Sequence, residues 1–324
     1  MAPSVFGTGD ITNLPRTIAD GMVKKVVTGS TIVALSGREP QRFGNVDIIT
    51  FEDLPRAEFV GEGEQKGTTT GGFGVVTAVP RKAHVTMRFS DEVLWADLDH
   101  QLGVLRTLSD AGAEALARAL DLGVYHRIQP LTGETIQAWT NYLNATTRRR
   151  QSSGDEEYDL EQAVGELISG EHPLPVNGIA FDNSYAWRLA TLRYPDGRKK
   201  FPELGWGIDI GRFQGLPTST SSTVSGRPEA TDTGTRAIVG DFQQGIRWGV
   251  QRNLPVELIR FGDPNGQGDL KRHNQIALRL EIVYGWYVFT DRFVVIEGDA
   301  PAAGGEGGEQ DAGGAKPRTS KAAA

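Results

Sequence analysis

The 324-residue sequence contains no cysteine. It therefore has no disulfide, no cysteine-ligated zinc or iron–sulfur centre and no thiol nucleophile. Long hydrophobic runs are also missing: the most apolar stretch, Ile282 to Phe289, has eight residues, whereas a membrane-spanning helix needs ~20. The first residues show no basic segment followed by an apolar one, so no secretory signal is expected. These absences indicate a soluble, cytosolic protein.

Charge and glycine content narrow the possibilities further. The chain has 34 basic and 41 acidic residues, a net charge of -7, and a pI near 5.4, which argues against a protein whose main task is to bind phosphates. Its 41 glycines are about twice the usual ~7% share. Residues 299–324 are rich in glycine and alanine and lack aromatic or branched aliphatic side chains, so we expect a disordered tail there.

Residues that could carry catalysis or bind metals lack the necessary spacing. No two of the five histidines, which are His84, His100, His126, His172 and His273, lie three or four residues apart, so no local metal pair is visible. Gly61–Gly63 and Gly71–Gly74 are similar to glycine loops, but neither joins a buried strand to a helix. We therefore expect no catalytic, cofactor-binding or metal-binding residue, and no enzymatic activity.

Three polar clusters have ordinary structural interpretations. The acidic residues at 97–100 stand at a predicted helix start, where they complement the helix dipole. The alternation at 263–269 is similar to a calcium loop, but its twelfth position is Asn274 instead of glutamate, so a turn between strands is favoured. Arg148–Arg150 is interpreted as a solvated run at a helix end rather than a nucleic-acid contact.

Periodicity predicts strands near the end of the chain. Apolar residues alternate strictly from Ile276 to Val288, as in a strand with one buried face. Asp291 and Arg292 then lead into a second short strand, Phe293–Ile296. A strand this long favours an elongated sheet over a compact barrel.

The best helical pattern runs from about Asp97 to Ile128, which is ~45 Å at 1.5 Å per residue. An irregularity at Ser109 leaves open whether this is one helix or two. Shorter helices are predicted at 134–146, 160–168 and 184–192. Trp139 and Trp187 fall among apolar residues at helical spacing and are interpreted as core residues.

Two segments look extended. Residues 55–90 predict a two-stranded arm with strands at Phe59–Val60 and Phe73–Val79 and a polar, glycine-rich tip at 61–72. A two-stranded hairpin is marginal alone in water and needs a surface to lie on. The first 50 residues, with short apolar groups at 23–27 and 32–35, also predict an extended arm. Together these features indicate a subunit that is completed by its neighbours.

This order of features resembles the tailed-phage major capsid proteins of the HK97-type fold. Four stretches carry the resemblance, and together they cover about residues 40–298. They are Glu58–Leu94, similar to the extended E-loop hairpin and its exit; Ala115–Gly133, similar to the end of the spine helix and its Asp121; Ala237–Val250, with Gly240-Asp241-Phe242; and Ala277–Ile296, similar to the closing strands.

The resemblance implies an α+β, HK97-like capsid fold. Its expected division is an N-terminal arm (1–50), an E-loop hairpin with the entry to the peripheral (P) domain (55–90), a spine helix region (91–130), an axial (A) domain (131–270), return strands of the P domain (271–298) and the tail (299–324). The acidic helical scaffolding segment of many relatives is not recognisable in the first 50 residues.

The resemblance also implies which residues meet a neighbour. The expected E-loop contacts between subunits are Glu58, Glu62, Glu64, Lys66, Phe73, Arg81 and Lys82, and Arg88 is a further charge of the arm. The expected core of the spine helix is Leu102, Leu105, Leu116 and Leu120. Some relatives join subunits through a lysine–asparagine bond, and Lys66 is the lysine at the tip, but no asparagine can be assigned to it.

The function implied is a major capsid protein that self-assembles, as hexamers and pentamers, into an icosahedral shell around the double-stranded DNA of a tailed phage. The expected partners are other copies of the chain and portal, scaffolding or decoration proteins, with no membrane and no sequence-specific DNA binding. The expected location is the virion, after assembly in the host bacterial cytoplasm. The alternatives are an encapsulin-like nanocompartment shell and a soluble enzyme with an unrecognised site.

Overall fold

The computed structural model describes residues 30–51, 57–67, 73–95, 98–170, 172–204, 210–253 and 256–298. The predicted disordered tail and the apolar residues at 23–27 of the predicted N-terminal arm lie outside these ranges. Within them, the protein forms two β-sheets, a long helix and several shorter helices.

The elements are numbered in chain order. The strands are β1 (Val46–Phe51), β2 (Phe73–Ser90), β3 (Arg149–Gln151), β4 (Gly178–Phe181), β5 (Arg212–Phe213), β6 (Leu216–Thr220), β7 (Thr235–Gly240), β8 (Ile246–Asn253), β9 (Glu257–Ile259), β10 (Gln275–Val288) and β11 (Phe293–Glu297). The helices are α1 (Thr31–Leu35), α2 (Leu98–His126), α3 (Glu156–Ile168), α4 (Asn183–Thr191) and α5 (Phe242–Gly245).

The first sheet is centred on β10. β2 pairs antiparallel with one edge of β10, from Val79 opposite Trp286 to Ser90 opposite Gln275, while β8 and β9 pair with the other edge. The predicted apolar face of this strand is buried, since Ile276, Leu278, Leu280, Ile282, Tyr284, Trp286 and Val288 are each 4% exposed or less. The long strand, the turn after it and the short strand β11 confirm the alternation pattern.

Helix α2 packs against the buried face of this sheet. It runs without a break through Ser109, which is buried, so the protein has one helix of 29 residues, about 43 Å long, rather than two. Gly112 and Gly123 allow its close approach to β10, because a Cβ at either position would lie 2.9 Å from the side chain of Leu280 or Trp286. A larger residue at either glycine would push the helix away from the strand.

The second sheet has six strands in the order β3-β11-β7-β4-β6-β5. Helices α3 and α4, which confirm the predictions at 160–168 and 184–192, cover one face with a core that includes Leu167, Phe181 and Leu189. The opposite face of the sheet, with Ala180 and Ile238, joins the core around α2. The two sheets and the long helix therefore share one hydrophobic core.

The helix predicted at 134–146 is wrong. A β-bridge joins Ile128 to Thr135, and only Leu143–Ala145 form a short 3-10 turn. The physical reason lies just before this segment, where Pro130 and Gly133, with a φ of 72°, turn the chain back on itself. The apolar residues of this segment are therefore spaced as in a helix although they lie in a loop.

The described part of the predicted N-terminal arm contains a helix, and the strands of each sheet do not follow one another in sequence. Residues 30–51 are not simply an extended arm, because α1 buries Ile32 and Leu35 in the core. Strands β8 and β9 share a sheet with β10, which follows them in sequence. Strand β11 joins the second sheet instead of the first. The division into peripheral and axial domains stays a prediction.

Candidate assembly surfaces

Strand β1 and the outer part of β2 form a two-stranded arm. Their backbones pair from Val46 opposite Ala78 to Phe51 opposite Phe73, and β10 pairs with β2 only from Val79 onward. No other described strand therefore supports the arm. The predicted hairpin exists, but its first strand is β1; the strand predicted at 59–60 is wrong.

One face of the arm is apolar and exposed. Ile49 and Val75 lie directly opposite each other and are 69% and 62% exposed, and Val79 on the same face is 44% exposed. On this face the Thr77 hydroxyl donates to Asp47 at 2.8 Å, so the polar pair of the face is satisfied. Complete burial of a Val or Ile side chain contributes ~1.5–3 kcal/mol, so this face gains free energy when another surface covers it.

The loop at residues 57–67 is closed by its own carboxylates. Glu58 accepts a hydrogen bond from the Gly67 backbone N–H at 2.8 Å, and Glu64 accepts one from Gly61 at 3.2 Å. Phe59 is fully exposed in this loop. Glu62 and Lys66 are exposed as well. The structure thus brings the four predicted charges of the tip together in one surface loop.

The part of β2 where the arm joins the first sheet is the root of the arm. The predicted contacts at 81–88 lie there, and they touch other residues of their own chain. The Arg81 guanidinium lies 4.0 Å from the centre of the Trp286 ring and 4.7 Å from that of Trp139, and burial lowers the pKa of Arg81 to about 10. Lys82 pairs with Glu281 at 2.8 Å. Arg88 also pairs within the chain, with Asp263 at 2.5 Å. The backbone of Phe73 pairs opposite Phe51 in the arm.

On the side of β1, the arm is anchored by residues 38–44. This segment lies across the first sheet, and we call it the strap. Glu39 donates its backbone N–H to the Trp248 carbonyl at 2.9 Å and pairs through its side chain with Arg247. The Gln251 amide accepts from the N–H of Gly44 and donates to its carbonyl, at 3.1 and 2.8 Å. The strap therefore fixes the point from which β1 leaves the sheet.

A Cβ at Gly249 would collide with the Glu39 carbonyl, and one at Gly285 with the Gln41 side chain. These glycines lie opposite each other in the adjacent strands β10 and β8. Because they have no side chains, they leave room for the strap to lie close to the sheet. Sequence reasoning missed this contact, because nothing in the spacing of two isolated glycines indicates what lies above them.

The long helix contributes both apolar and polar contacts. Leu105, Leu116 and Leu120 are 1–3% exposed, whereas Leu102 is only partly buried.

Asp121 is fully buried and accepts five hydrogen bonds: from the hydroxyls of Ser30, Thr31 and Thr223 and from the backbone N–H groups of Thr31 and Ile32. Burial raises the pKa of Asp121, and these donors oppose that effect. Asp121 thereby attaches the N-terminus of α1 to the long helix.

Comparison with known proteins finds relatives of this chain. No family model matches the chain. The probable major capsid protein gp17 of Mycobacterium phage D29 is 25% identical over 276 residues, which cover 78% of this chain and 79% of that protein. A solved structure from Mycobacterium phage Ogopogo is 43% identical, covers 83% of this chain and 92% of that one, and has a TM-score of 0.74. One from Gordonia phage Cozz is 30% identical, with coverages of 84% and 87% and a TM-score of 0.70.

These structural neighbours are phage capsid structures of the HK97 type. This chain belongs to the HK97-type phage major capsid proteins. The capsid protein forms the shell of the virion, where its role is structural rather than enzymatic. The α+β, HK97-like fold expected from the sequence is confirmed.

One polar cluster of the capsid protein has the structure that its sequence predicts. The 263–269 segment is a turn, as predicted: Asp263 accepts from the backbone N–H groups of Gln267 and Gly268, both at 2.9 Å. Across the described ranges, no three His, Asp or Glu side chains are grouped to hold a metal ion. No helix in the same ranges has the length and apolarity to cross a membrane.

Two surface predictions for the capsid protein need correction. The arginine triplet does not end a helix: Arg149 and Arg150 lie on β3 and pair with Glu297 at 2.6 Å and Glu166 at 3.0 Å. Trp187 is not a core residue, since it is 55% exposed on α4. The helical spacing placed Trp187 on a helix correctly but did not show which face meets the sheet. Trp139 does pack against the core.

Proposed function

We propose that the arm is the contact through which one capsid protein subunit holds the next. The observation that supports this most is the exposed apolar pair Ile49 and Val75 on a hairpin that no other described strand supports. In a closed shell, each arm would lie on a neighbouring subunit, and the same contact would be repeated around hexamers and pentamers.

Burial of area, rather than ion pairs, would supply most of the stability of this contact. Exposed ion pairs contribute only ~0–1 kcal/mol each, and Lys82 and Arg88 already have partners in their own chain. The charges of the tip, Glu58, Glu62, Glu64 and Lys66, would mainly set the register of the contact.

We further propose that the shell encloses double-stranded DNA without sequence-specific binding, assembles in the host bacterial cytoplasm, and works with portal, scaffolding or decoration proteins. The net charge of -7 supports weak affinity for the packaged genome, because contacts to phosphates require a positive surface. DNA that is protected from nuclease inside purified particles is the expected result. Particles that never contain DNA during infection would contradict this part of the proposal.

The test of the arm contact is a charge placed on its apolar face. Ile49→Asp should leave the subunit folded by far-UV circular dichroism, because the side chain is exposed, but should prevent shell formation seen by electron microscopy. Ile49→Val, which keeps the apolar face, is the matched control and should assemble. Normal shells from Ile49→Asp would refute the proposed contact.

A further inference from the structure

The sequence contains two Asn–Gly pairs, Asn177–Gly178 and Asn265–Gly266. An asparagine followed by glycine is prone to spontaneous deamidation, because glycine has no side chain to hinder the attack of its backbone nitrogen on the asparagine amide. The reaction also requires that the amide carbon and the nitrogen are able to approach each other. The structure therefore decides which of the two pairs is reactive.

The pair Asn177–Gly178 is protected by the second sheet. The Asn177 Nδ2 donates to Asp241 at 2.6 Å, and its Oδ1 accepts from the Phe242 N–H at 2.8 Å. Gly178 is buried and is the first residue of β4, which pairs with β7 on one side and β6 on the other. The amide and the backbone are both held in place, so the side chain cannot turn toward the Gly178 nitrogen.

The pair Asn265–Gly266 lies in the turn at 263–269, where both residues are exposed. Gly266 has a φ of 73°, outside any strand or helix. Its N–H has no acceptor among the described residues. The next two N–H groups of the turn, in contrast, donate to Asp263. The attacking nitrogen is therefore open to water and is not held by a hydrogen bond.

A guanidinium holds the amide oxygen of Asn265. The Nε of Arg88, on β2, donates to the Asn265 Oδ1, and the Nη2 of the same side chain donates to Asp263 at 2.5 Å. The Arg88 side chain is only 8% exposed, so its charge stays at this position. Attack on the amide carbon places negative charge on the amide oxygen, and a donor that is already in position stabilises this charge.

We propose that Asn265 is a site of spontaneous deamidation and that Arg88 promotes the reaction. The Gly266 nitrogen loses its proton to water and forms a bond to the Cγ of Asn265. The Cγ–Nδ2 bond then breaks, and Nδ2 takes up a proton and leaves as ammonia, so that a cyclic succinimide remains. Water adds to either carbonyl of the ring and breaks its bond to the nitrogen, which gives aspartate or isoaspartate. No oxidant or reductant takes part.

Either product changes the turn at 263–269. Aspartate at position 265 places a second carboxylate on Arg88, beside Asp263. Isoaspartate also lengthens the backbone by a CH₂ group, in a turn that Arg88 joins to β2 and that Arg279 joins to β10 by donating to the Pro264 carbonyl at 3.2 Å. The capsid protein therefore acquires negative charge with time next to its first sheet. This inference does not depend on the arm contact.

Tryptic peptides distinguish the two sites. The folded capsid protein is kept in mildly alkaline buffer, and samples taken over time are digested and analysed by mass spectrometry, with the sample from time zero as the correction for reaction during digestion. The peptide Phe261–Lys271 contains Asn265 as its only asparagine. We expect aspartate and isoaspartate to accumulate in this peptide, and Asn177 to stay intact.

Protein unfolded in guanidinium chloride is the matched control. Both pairs should deamidate there, because the fold then holds neither amide, and the incubation continues until this control has reacted at both sites. Folded protein in which Asn265 is still intact at that time, or in which Asn177 reacts as fast as Asn265, would overturn the proposal. So would an Asn177 that stays intact even in the unfolded chain, because its protection would then not come from the structure.

The substitution Arg88→Gln tests the guanidinium. Loss of the charge beside Oδ1 should slow the deamidation of Asn265 by about tenfold or more. A purely structural role predicts the opposite, because a loosened turn lets the amide reach the nitrogen more often. Arg198→Gln, at an exposed arginine that pairs with Asp196, is the control and should leave the rate unchanged. An equal or faster rate in Arg88→Gln, with the far-UV circular dichroism of the parent, would contradict the role of Arg88.

Discussion

Replacing His126 with asparagine is expected to remove much of the acid sensitivity of the folded capsid protein. His126 is the last residue of α2 and is buried. Its Nε2 donates to the carbonyls of Thr223 and Val224, at 3.1 and 2.9 Å, and its Nδ1 accepts from the amide of Asn144 at 2.8 Å. These contacts describe a neutral imidazole. Burial is the main cause that lowers the pKa of His126 from 6.5 to about 4.

The magnitude follows from this difference in pKa. Between pH 6.5 and about 4, the unfolded chain binds a proton at this histidine that the folded chain does not, so stability falls as the pH falls through 6.5 and the loss levels off below about 4. At ~1.36 kcal/mol per pKa unit the complete loss is about 3 kcal/mol, and about 2 kcal/mol is already lost at pH 5.

The assay is urea unfolding followed by circular dichroism at a series of pH values from 7.5 to 4.5, with all proteins in the same assembly state. His126→Asn should be less stable at pH 7.5, because hydrogen bonds are lost, but its stability should decline less toward pH 5, by about 2 kcal/mol. His84→Asn, at an exposed histidine, is the control and should follow the parent protein. A decline as steep in His126→Asn as in the parent would refute this interpretation of the buried imidazole.

Two further substitutions test the packing of the arm and the long helix. Gly249→Ala should displace the strap, because the new Cβ meets the Glu39 carbonyl, and should lower the free energy of unfolding by about 1–3 kcal/mol. The control Gly165→Ala, on a helix with no atom within 4 Å of the new Cβ, should instead raise it by about 0.5–1 kcal/mol. Equal effects of the two substitutions would contradict the contact between Gly249 and the strap. Asp121→Asn should destabilise by about 1–3 kcal/mol in thermal unfolding, because an amide cannot accept all five donors; an unchanged melting temperature would show that the carboxylate is not needed.

The sequence predicts those elements whose environment is uniform along their length. The strand from Ile276 to Val288 alternates strictly because one face is buried throughout, and the long helix shows its buried face in the same way. The irregularity at Ser109 comes from the small residues around Gly112, which let β10 approach. Local spacing alone does not distinguish such a contact from a break in the helix.

Other parts depend on contacts between distant segments. The parallel pairs β3–β11 and β4–β6 join strands far apart in sequence, and no local pattern predicts them. The β-branched residues of Val46–Phe51 favour a strand, but the pairing of this strand with Phe73–Ala78 depends on contacts that the short apolar groups of residues 1–50 do not indicate. The assembly surfaces show the same difference. Composition predicts the charged tip, whereas the stacking of Arg81 on Trp139 and Trp286 joins residues far apart in sequence, and no local pattern predicts it.

The central claim, that the arm joins subunits, is tested most directly by deleting residues Glu62–Gly72 and imaging the purified protein by electron microscopy beside the full-length chain. The described part of this segment, residues 62–67, is exposed and belongs to neither hydrophobic core. The account predicts a folded subunit, with the far-UV circular dichroism of the parent, that no longer forms closed shells. Closed shells of normal size from the deletion variant would contradict it.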